Sequence, residues 1–308
     1  MGDIMQHPQV SVIVPTYNYA HYLPRALDSL LGQQGIEPEI IVIDDGSTDE
    51  TPEILKKYKL HIVAIRQSNA GVSAARNIGI AESHGDFIGF LDPDDFYHPD
   101  KLKRQVSLLE RHPEWGWTYC DCVFLDETTG EKTLFSKQYR YNSRLALEGP
   151  RLFEALIPSN FICPLSLLIR RDSLDKAGHF DERFAGIEDF DLVLRLAATS
   201  SALYSPEILA TYMWHPGSLG KNQARMTRDK YLILDKIVTL YSDRILNLGT
   251  TAKRALADMH NWFGYGLYRE GRLEEAFQRL WTSLRIWPLQ GRAWLFLCMS
   301  FLRLFMGK

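Results

Sequence analysis

The sequence predicts an α/β fold, a mostly parallel sheet sandwiched by helices, followed by an α-helical C-terminal region. Three observations carry that expectation. Short β-branched runs alternate with segments of helical period through the first ninety residues. Polar clusters rich in Asp and Asn follow those runs, where the strands of a parallel sheet would end. The charge also changes sign along the chain: residues 1–220 carry 20 Lys+Arg against 31 Asp+Glu, and residues 221–308 carry 15 against 7. That asymmetry separates an acidic domain over 1–220 from a basic helical extension over 221–308.

Element by element, residues 10–15 (Val-Ser-Val-Ile-Val-Pro) read as a buried strand closed by proline. Leu23, Ala26, Leu27, Leu30 and Leu31 stand at helical spacing over 22–31. A second strand over 39–43 runs into Asp44-Asp45-Gly46-Ser47, and Thr48 or Asp49 stands where it can cap a helix ending at Lys57. Strands follow over 61–65 and 87–91, with a small-residue helix over 73–83 between them. Strand–helix–strand units at this spacing call for right-handed crossovers and a parallel sheet. Further on, Pro99 opens a helix, and Leu192, Val193, Leu196 and Ala197 mark another over 190–198. Two more helices span 226–246 and 251–268, broken at Gly249.

At 308 residues, 45% hydrophobic and 24% charged, the chain has material for a sizeable core and is neither disordered nor fibrous. Cys120, Cys122, Cys163 and Cys298 are too few for a disulfide scaffold. Cys120-x-Cys122 lacks the second pair of a zinc site, so the four read as buried thiols. Residues 1–9 have no apolar core of a secretory signal, and the uncharged run 293–302 is half the length of a membrane span. The expected location is therefore the cytoplasm, with any membrane contact peripheral and on the inner face. There is no Gly-x-x-x-x-Gly-Lys loop and no Gly-x-Gly-x-x-Gly fingerprint, which removes ATPase and dehydrogenase readings. No nucleic-acid partner is expected.

Asp92-Pro93-Asp94-Asp95 sets three carboxylates within four residues, directly after the strand over 87–91. Such a cluster either holds a hard divalent cation, Mn2+ or Mg2+, together with substrate phosphates, or forms a solvated turn before the next helix. Asp44-Asp45-Gly46-Ser47-Thr48-Asp49 has the same two readings. Its recurrence at successive strand ends favours a site.

Taken in order, Pro15-Thr16-Tyr17-Asn18, the 44–49 cluster, Asn69-Ala70-Gly71-Val72-Ser73-Ala74-Ala75-Arg76-Asn77-Ile78-Gly79 and Leu91-Asp92-Pro93-Asp94-Asp95 resemble the motifs of the family 2 inverting glycosyltransferases with the Rossmann-like GT-A fold. The resemblance covers about the first 110 residues and continues more weakly through 186–192 and 212–218. It implies a nucleotide-sugar site in which Thr16, Tyr17 and Asp44 line the base pocket, Asp44 accepting from an imide N–H of uracil or thymine. Gly71 and Arg76 would lie along the nucleotide, and Pro15, Asn18, Asn69 and Pro93 would belong to the same donor site. Asp92 and Asp94 form the family's D-x-D pair, facing ribose and metal, with Asp95 and His215 beside Asp94 at the cation. Glu188-Asp189 matches the acidic pair on the acceptor side, with Asp189 as general base; spacing alone would equally make Asp189 the cap of the helix over 190–198.

The pattern departs from the family at Met213, where an arginine is frequent, and at Gly220, where a second serine is; Lys221 or Arg225 are the candidate replacements for the missing charge. No Gln-x-x-Arg-Trp segment follows the acidic pair, which implies addition of one sugar at a time instead of polymer extrusion. The implied activity is metal-dependent, inverting transfer from a UDP- or dTDP-linked donor to a hydroxyl of a glycan or lipid-linked saccharide, in cell-envelope polysaccharide biosynthesis. Residues 139–161 are assigned to the acceptor. The alternative is a helical interaction protein whose sheet binds a nucleotide sugar without turning it over.

In the tail, Gly264, Gly271, Ala276 and Pro288 fall at the spacing of one tetratricopeptide-like unit, where small residues let two helices pack closely. Around and after it, Trp281, Leu284, Trp287, Trp294, Leu295, Phe296, Phe301, Leu302 and Phe305 are set among Arg279, Arg285, Arg292 and Arg303. That mixture is either a helix lying in a membrane interface or a domain core fringed by solvated arginines.

Overall fold

Val, Ile and Phe dominate the first strands because a parallel sheet buries both of its faces. In the computed structural model, which describes residues 8–138, 150–158, 160–218 and 223–306, these strands are β1 (Val10–Thr16), β2 (Glu39–Asp44), β3 (Val63–Arg66) and β4 (Phe87–Phe90). They pair in parallel in the order β3-β2-β1-β4, with Val12 opposite both Ile40 and Gly89. Strand β1 is thus flanked by β2 on one side and β4 on the other. Strand order reverses there, and a crevice opens at the carboxyl end of β1 between the ends of its neighbours.

Beyond β4 the sheet becomes mixed. It gains β5 (Phe96–Tyr97), β6 (Trp117–Asp126), β7 (Lys132–Leu134), β8 (Leu167–Arg170) and β9 (Ala202–Trp214). Strand β8 lies antiparallel between β4 and β6, β9 runs parallel to β6, and β5 and β7 add antiparallel edges. The mostly parallel expectation describes the first four strands; β5, β7 and β8 have two to four residues each, too few for a period of two to register.

Helices α1 (Leu23–Leu31), α2 (Thr51–Tyr58), α3 (Val72–Glu82), α4 (Lys101–Arg111), α5 (Phe135–Gln138), α6 (Pro150–Leu156), α7 (Arg171–Ala177) and α8 (Glu188–Thr199) follow the order of the chain. Leu23, Ala26, Leu27 and Leu30 of α1 are buried, as their spacing predicts. Gly79 of α3 lies so close to β1 that a Cβ there would stand 2.4 Å from Ile13 Cγ2. Only glycine permits that approach. Asp49 accepts the Thr51 N–H at 3.0 Å, one residue inside α2, while the cap position itself is Glu50, without a capping side-chain bond.

The chain divides into two compact units, Met1–Phe153 with Asn160–Met226, and Glu154–Ser159 with Thr227–Lys308. The second is helical: α9 (Gln223–Leu240), α10 (Ser242–Asn247), α11 (Thr250–Arg269), α12 (Leu273–Ile286) and α13 (Gly291–Met306). The helix expected over 226–246 is interrupted at Tyr241, and Gly249 caps α11. Helices α11 and α12 form the hairpin the small residues predict. Gly271 turns the chain at φ +79°, and Ala276 is fully buried. Helix α13 packs on α12 through Leu280, Leu284, Ala293 and Leu297. Cys120, Cys122 and Cys163 are buried as expected, but Cys298 on α13 is exposed, because its position faces away from the α12 contact. Among the described residues, no helix is long and apolar enough to cross a membrane.

Candidate active site

Three loops meet at the carboxyl end of β1, and their polar side chains first serve to hold one another. Asn18 adopts φ +59°, a left-handed conformation that Asn tolerates better than most residues. Its Oδ1 accepts the Thr48 N–H at 2.7 Å and its own N–H donates to Ser47 Oγ at 2.9 Å. Asp45, just past β2, does the same for the next loop. Its carboxylate accepts from Gln67 Nε2 and from the Ala70 and Gly71 amides at 2.6–2.9 Å, and Asn69 Nδ2 donates to its carbonyl at 3.1 Å. Gly71, at φ +94°, caps α3 and remains exposed.

The residues expected in the base pocket divide. Tyr17 is 44% exposed, while Pro15 and Thr16 are buried in β1, and Thr16 Oγ1 is a buried oxygen with no partner. Asp44 is also buried. Its Oδ1 accepts the Ser47 amide at 2.8 Å and its Oδ2 accepts from Arg66 Nη1 at 3.1 Å. A base N–H reaches Asp44 only if Arg66, whose side chain is 53% exposed, swings aside.

The Asp92-Pro93-Asp94-Asp95 turn follows β4, with Pro93 buried, and its three carboxylates point to three different partners. Asp92 Oδ1 accepts from Arg76 Nη2 at 2.6 Å. Asp94 Oδ2 faces His215 Nε2 at 2.9 Å, and the Asp94 carbonyl accepts from Arg25 Nη2 at 2.7 Å. Asp95 turns inward: Oδ1 accepts the Met213 N–H at 2.8 Å, and Oδ2 is buried without a partner. Met213, at the departure from the family pattern, is therefore held by its backbone. Asp95 straps β9 to the turn and so positions His215, two residues on. Burial and the charges of Asp94 and Asp92 push the Asp95 carboxyl well up.

Hydrogen bonding sets the His215 tautomer. The Gly217 N–H donates to Nδ1 at 3.2 Å, so Nε2 carries the proton and donates it to Asp94. Tyr22 stacks on the imidazole at 4.8 Å between centroids, and the ring is 5% exposed. Burial and the Asp92 charge push the Asp94 carboxyl up to about 6, against the opposing pull of His215.

A carboxylate oxygen and an imidazole nitrogen at hydrogen-bond distance, in a pocket whose own negative charge raises that carboxyl, fit a divalent cation. Ligation through Nε2 would move the His215 proton to Nδ1 and turn the Gly217 N–H away, whereas the Asp94 carboxylate would need no such change. Asp95, facing Met213, is not part of this pair. Among the described residues no preformed group of three His, Cys, Asp or Glu side chains converges on a metal position. Gly220 and Lys221 lie outside the described residues, as does the Arg225 side chain.

Arg76 does not line an open surface. The residue is 1% exposed, and its guanidinium joins Asp92 to Glu188, with Nη1 to Glu188 Oε1 at 2.7 Å. One buried cation thereby links α3, the turn after β4 and the start of α8. Glu188 and Asp189 occupy the first two positions of α8, where the orphan amides and the helix dipole favour carboxylates. The cap position is Ile187, so Asp189 is not the cap; its Oδ1 takes the Phe190 N–H at 2.7 Å. Its Oδ2 accepts from Asn160 Nδ2 at 3.0 Å. Burial and the neighbouring Glu188 charge push the Asp189 carboxyl up to about 7.

The motifs single out none of Arg25, Tyr22 and Arg66, which are separated in sequence from the groups they touch by 22 to 193 residues, and no local spacing reports such pairs. Asn160 does fall in the 139–161 stretch assigned to the acceptor, of which 139–149 and 159 lie outside the described residues.

The sequence model of glycosyl transferase family 2 matches residues 11–178. An uncharacterised glycosyltransferase of Rickettsia prowazekii (strain Madrid E) is 32% identical over 212 residues, 68% of this chain and 65% of the relative. The uncharacterised glycosyltransferase EpsJ of Bacillus subtilis (strain 168) is 32% identical over 235 residues, 73% and 67% respectively. The chain thus spans just under two thirds of the Rickettsia relative's length. Residues 1–349 of S. aureus TarS, in complex with UDP-GlcNAc, superpose with a TM-score of 0.66 at 23% identity, covering 96% of this chain and 85% of that one. The mannosyltransferase PcManGT of Pyrobaculum calidifontis, in complex with GDP-Man and Mn2+, gives 0.58 at 20% identity, with 98% and 82% covered. The fold these structures share is the one the motifs imply. Glu188, Asp189 and His215 lie past the stretch matched by the family's sequence model, so their roles rest on geometry. That stretch, from the second residue of β1 to the glycine closing α7, is more than half of the sequence: the chain belongs to glycosyl transferase family 2.

Proposed function

We propose that the chain transfers a single sugar from a UDP- or dTDP-linked donor to a hydroxyl of a glycan or lipid-linked saccharide, with inversion, in a metal-dependent and non-processive reaction. The observation that carries this reading is the Asp189 carboxyl. It is oriented by Asn160, poised near neutrality, and one residue from the Glu188–Arg76–Asp92 chain that leads to the donor-side turn. A general base with a pKa near the working pH combines proton affinity with availability. Asp189 removes the proton of the acceptor hydroxyl as its oxygen attacks the anomeric carbon opposite the diphosphate, and one displacement inverts that centre.

Asp94 and His215 would hold Mn2+ or Mg2+; bound there, the cation supplies charge stabilisation for the departing diphosphate. Exposed Tyr17 and Gly71 remain open to base and phosphates, and Asp92, held by Arg76, would face the ribose. Complexes of TarS with UDP and UDP-GlcNAc, and of PcManGT with GDP-Man and Mn2+, support by analogy a nucleotide-sugar donor bound together with a divalent cation. A lipid-linked acceptor would bring the enzyme to the inner face of a membrane, with the basic helices over 221–308 as the contact.

The test is a panel of nucleotide sugars with Mn2+, read by thermal shift and by UDP release, on wild type and Asp189→Asn. One donor should raise the melting temperature of both proteins by mass action, while only the wild type transfers. A wild type that binds the donor but releases no UDP, even with acceptors supplied, would instead be a binder. Asp189→Asn retaining full turnover would remove it as base.

A further inference from the structure

Helix α13 is apolar on two opposite faces and buried on only one. Ala293, Leu297 and Ser300 are buried, two of them in the cluster with Leu280 and Leu284 of α12. Trp294, Leu295, Phe301, Leu302 and Phe305 are 46–73% exposed, with exposed Cys298 among them. Positions 294, 295, 298, 301, 302 and 305 fall on a single helical face. A helix that is hydrophobic all round is ordinarily enclosed, so this outward stripe needs an occupant.

The charges say which. No Asp or Glu occurs after Glu275, whereas Arg279, Arg285, Arg292, Arg303 and Lys308 follow it. Ion pairs among the described residues of the helical unit include Arg254 with Asp258, Arg272 with Glu270 and Glu275, and Arg279 with Asp235. Among the described residues, Arg285, Arg292 and Arg303 have no acidic partner, and all three are exposed. Arg303 lies over the Tyr268 ring of α11 at 4.7 Å, so its charge is engaged within the helical unit and Arg285 and Arg292 are left for an external anion. Two copies of such a face would bring uncompensated arginines together. An anionic headgroup layer neutralises them while the acyl boundary takes up Trp, Leu and Phe. At 16 residues, α13 is too short to span.

We propose that α13 lies in the interface of an anionic lipid surface, its Trp294–Phe305 face immersed and the unpaired Arg285 and Arg292 on the headgroups. The inference extends the membrane contact in the functional reading above and is independent of the chemistry at Asp189. The test is co-sedimentation of the full chain with vesicles of phosphatidylcholine, with and without phosphatidylglycerol. The wild type should sediment with the anionic vesicles and be released by high salt. Phe301→Glu with Phe305→Glu should lower vesicle affinity by roughly tenfold or more while helicity by circular dichroism is unchanged. Arg285→Glu with Arg292→Glu should do the same through charge alone. Absence of binding to anionic vesicles, or equal binding by wild type and both variants, overturns the proposal. So does a concentration-dependent dimer in light scattering that Phe301→Glu with Phe305→Glu dissociates, which would assign the face to a second copy. Nucleotide-sugar binding measured on the same preparations reports separately on the donor site, so the two readings fail independently.

Discussion

Two neighbouring aspartates, Asp94 and Asp95, share a turn and have different work, and the difference is visible in what each oxygen touches. Asp94 faces an imidazole nitrogen across the turn; Asp95 faces a backbone amide and holds β9. Asp94→Ala should therefore abolish the Mn2+-dependent part of donor binding, measured calorimetrically with and without Mn2+. Asp95→Asn, which keeps an acceptor for the Met213 N–H, should leave that part near its wild-type value. At Asp189 the sign of the pH dependence is fixed by its role. A base must be unprotonated, and this carboxyl titrates at about 7. The value of kcat/KM should rise with pH through that point and level off above it. In Asp189→Asn the rise should vanish along with about 10²–10⁴ of the rate. A profile that falls with pH over the same range would make Asp189 an acid in its working state.

At the scale of elements, Arg76 is the member that joins α3, the turn after β4 and α8. Arg76→Met leaves Glu188, 7% exposed, without its cation, and breaking a buried pair in this way costs about 3–5 kcal/mol. Chemical denaturation checks it, and an unchanged midpoint would mean the pair carries no structural weight. In the helical unit, a Cβ on Gly264 would stand 2.7 Å from Leu280 Cγ, so Gly264→Ala should destabilise the α11–α12 hairpin by about 1–3 kcal/mol. These elements were largely legible in the sequence. β1 to β4 and their helices declare themselves by period, and Gly264 and Ala276 by the spacing of a helical hairpin. The connections were not. Arg76 sits on a helix whose neighbours are small, and nothing local says that it turns inward to meet Asp92 and Glu188, 16 and 112 residues away. Asp44 and Asp45 look alike in sequence; one meets Arg66 and the other cradles the Ala70 and Gly71 amides because β3 brings that loop alongside. Side-chain pairing across a sheet depends on strand order, which the sequence does not print.

The two units carry titratable groups shifted in ways that give opposite pH responses, so the molecule should answer pH in two directions at once. His260 in α11 is 1% exposed, neither ring nitrogen has a hydrogen-bond partner, and burial with nearby Arg279 pushes it down to about 3. An unfolded histidine takes its proton near 6.5, so below that pH the unfolded helical unit binds a proton that the folded one refuses. Its stability is complete above about 6.5 and drains away toward 3. Asp189 behaves oppositely. Its folded pKa of about 7 stands above that of an unfolded aspartate, so the stability it contributes is present when protonated and is lost as pH rises through about 7. Going from about pH 7.5 to about 5.5, calorimetry should show the helical transition moving down and the sheet unit's transition holding or rising. His260→Leu should flatten the first response and Asp189→Asn the second, each without touching the other. If both transitions instead fall together, and both variants follow the wild type, the pH response belongs to net charge and not to these two groups.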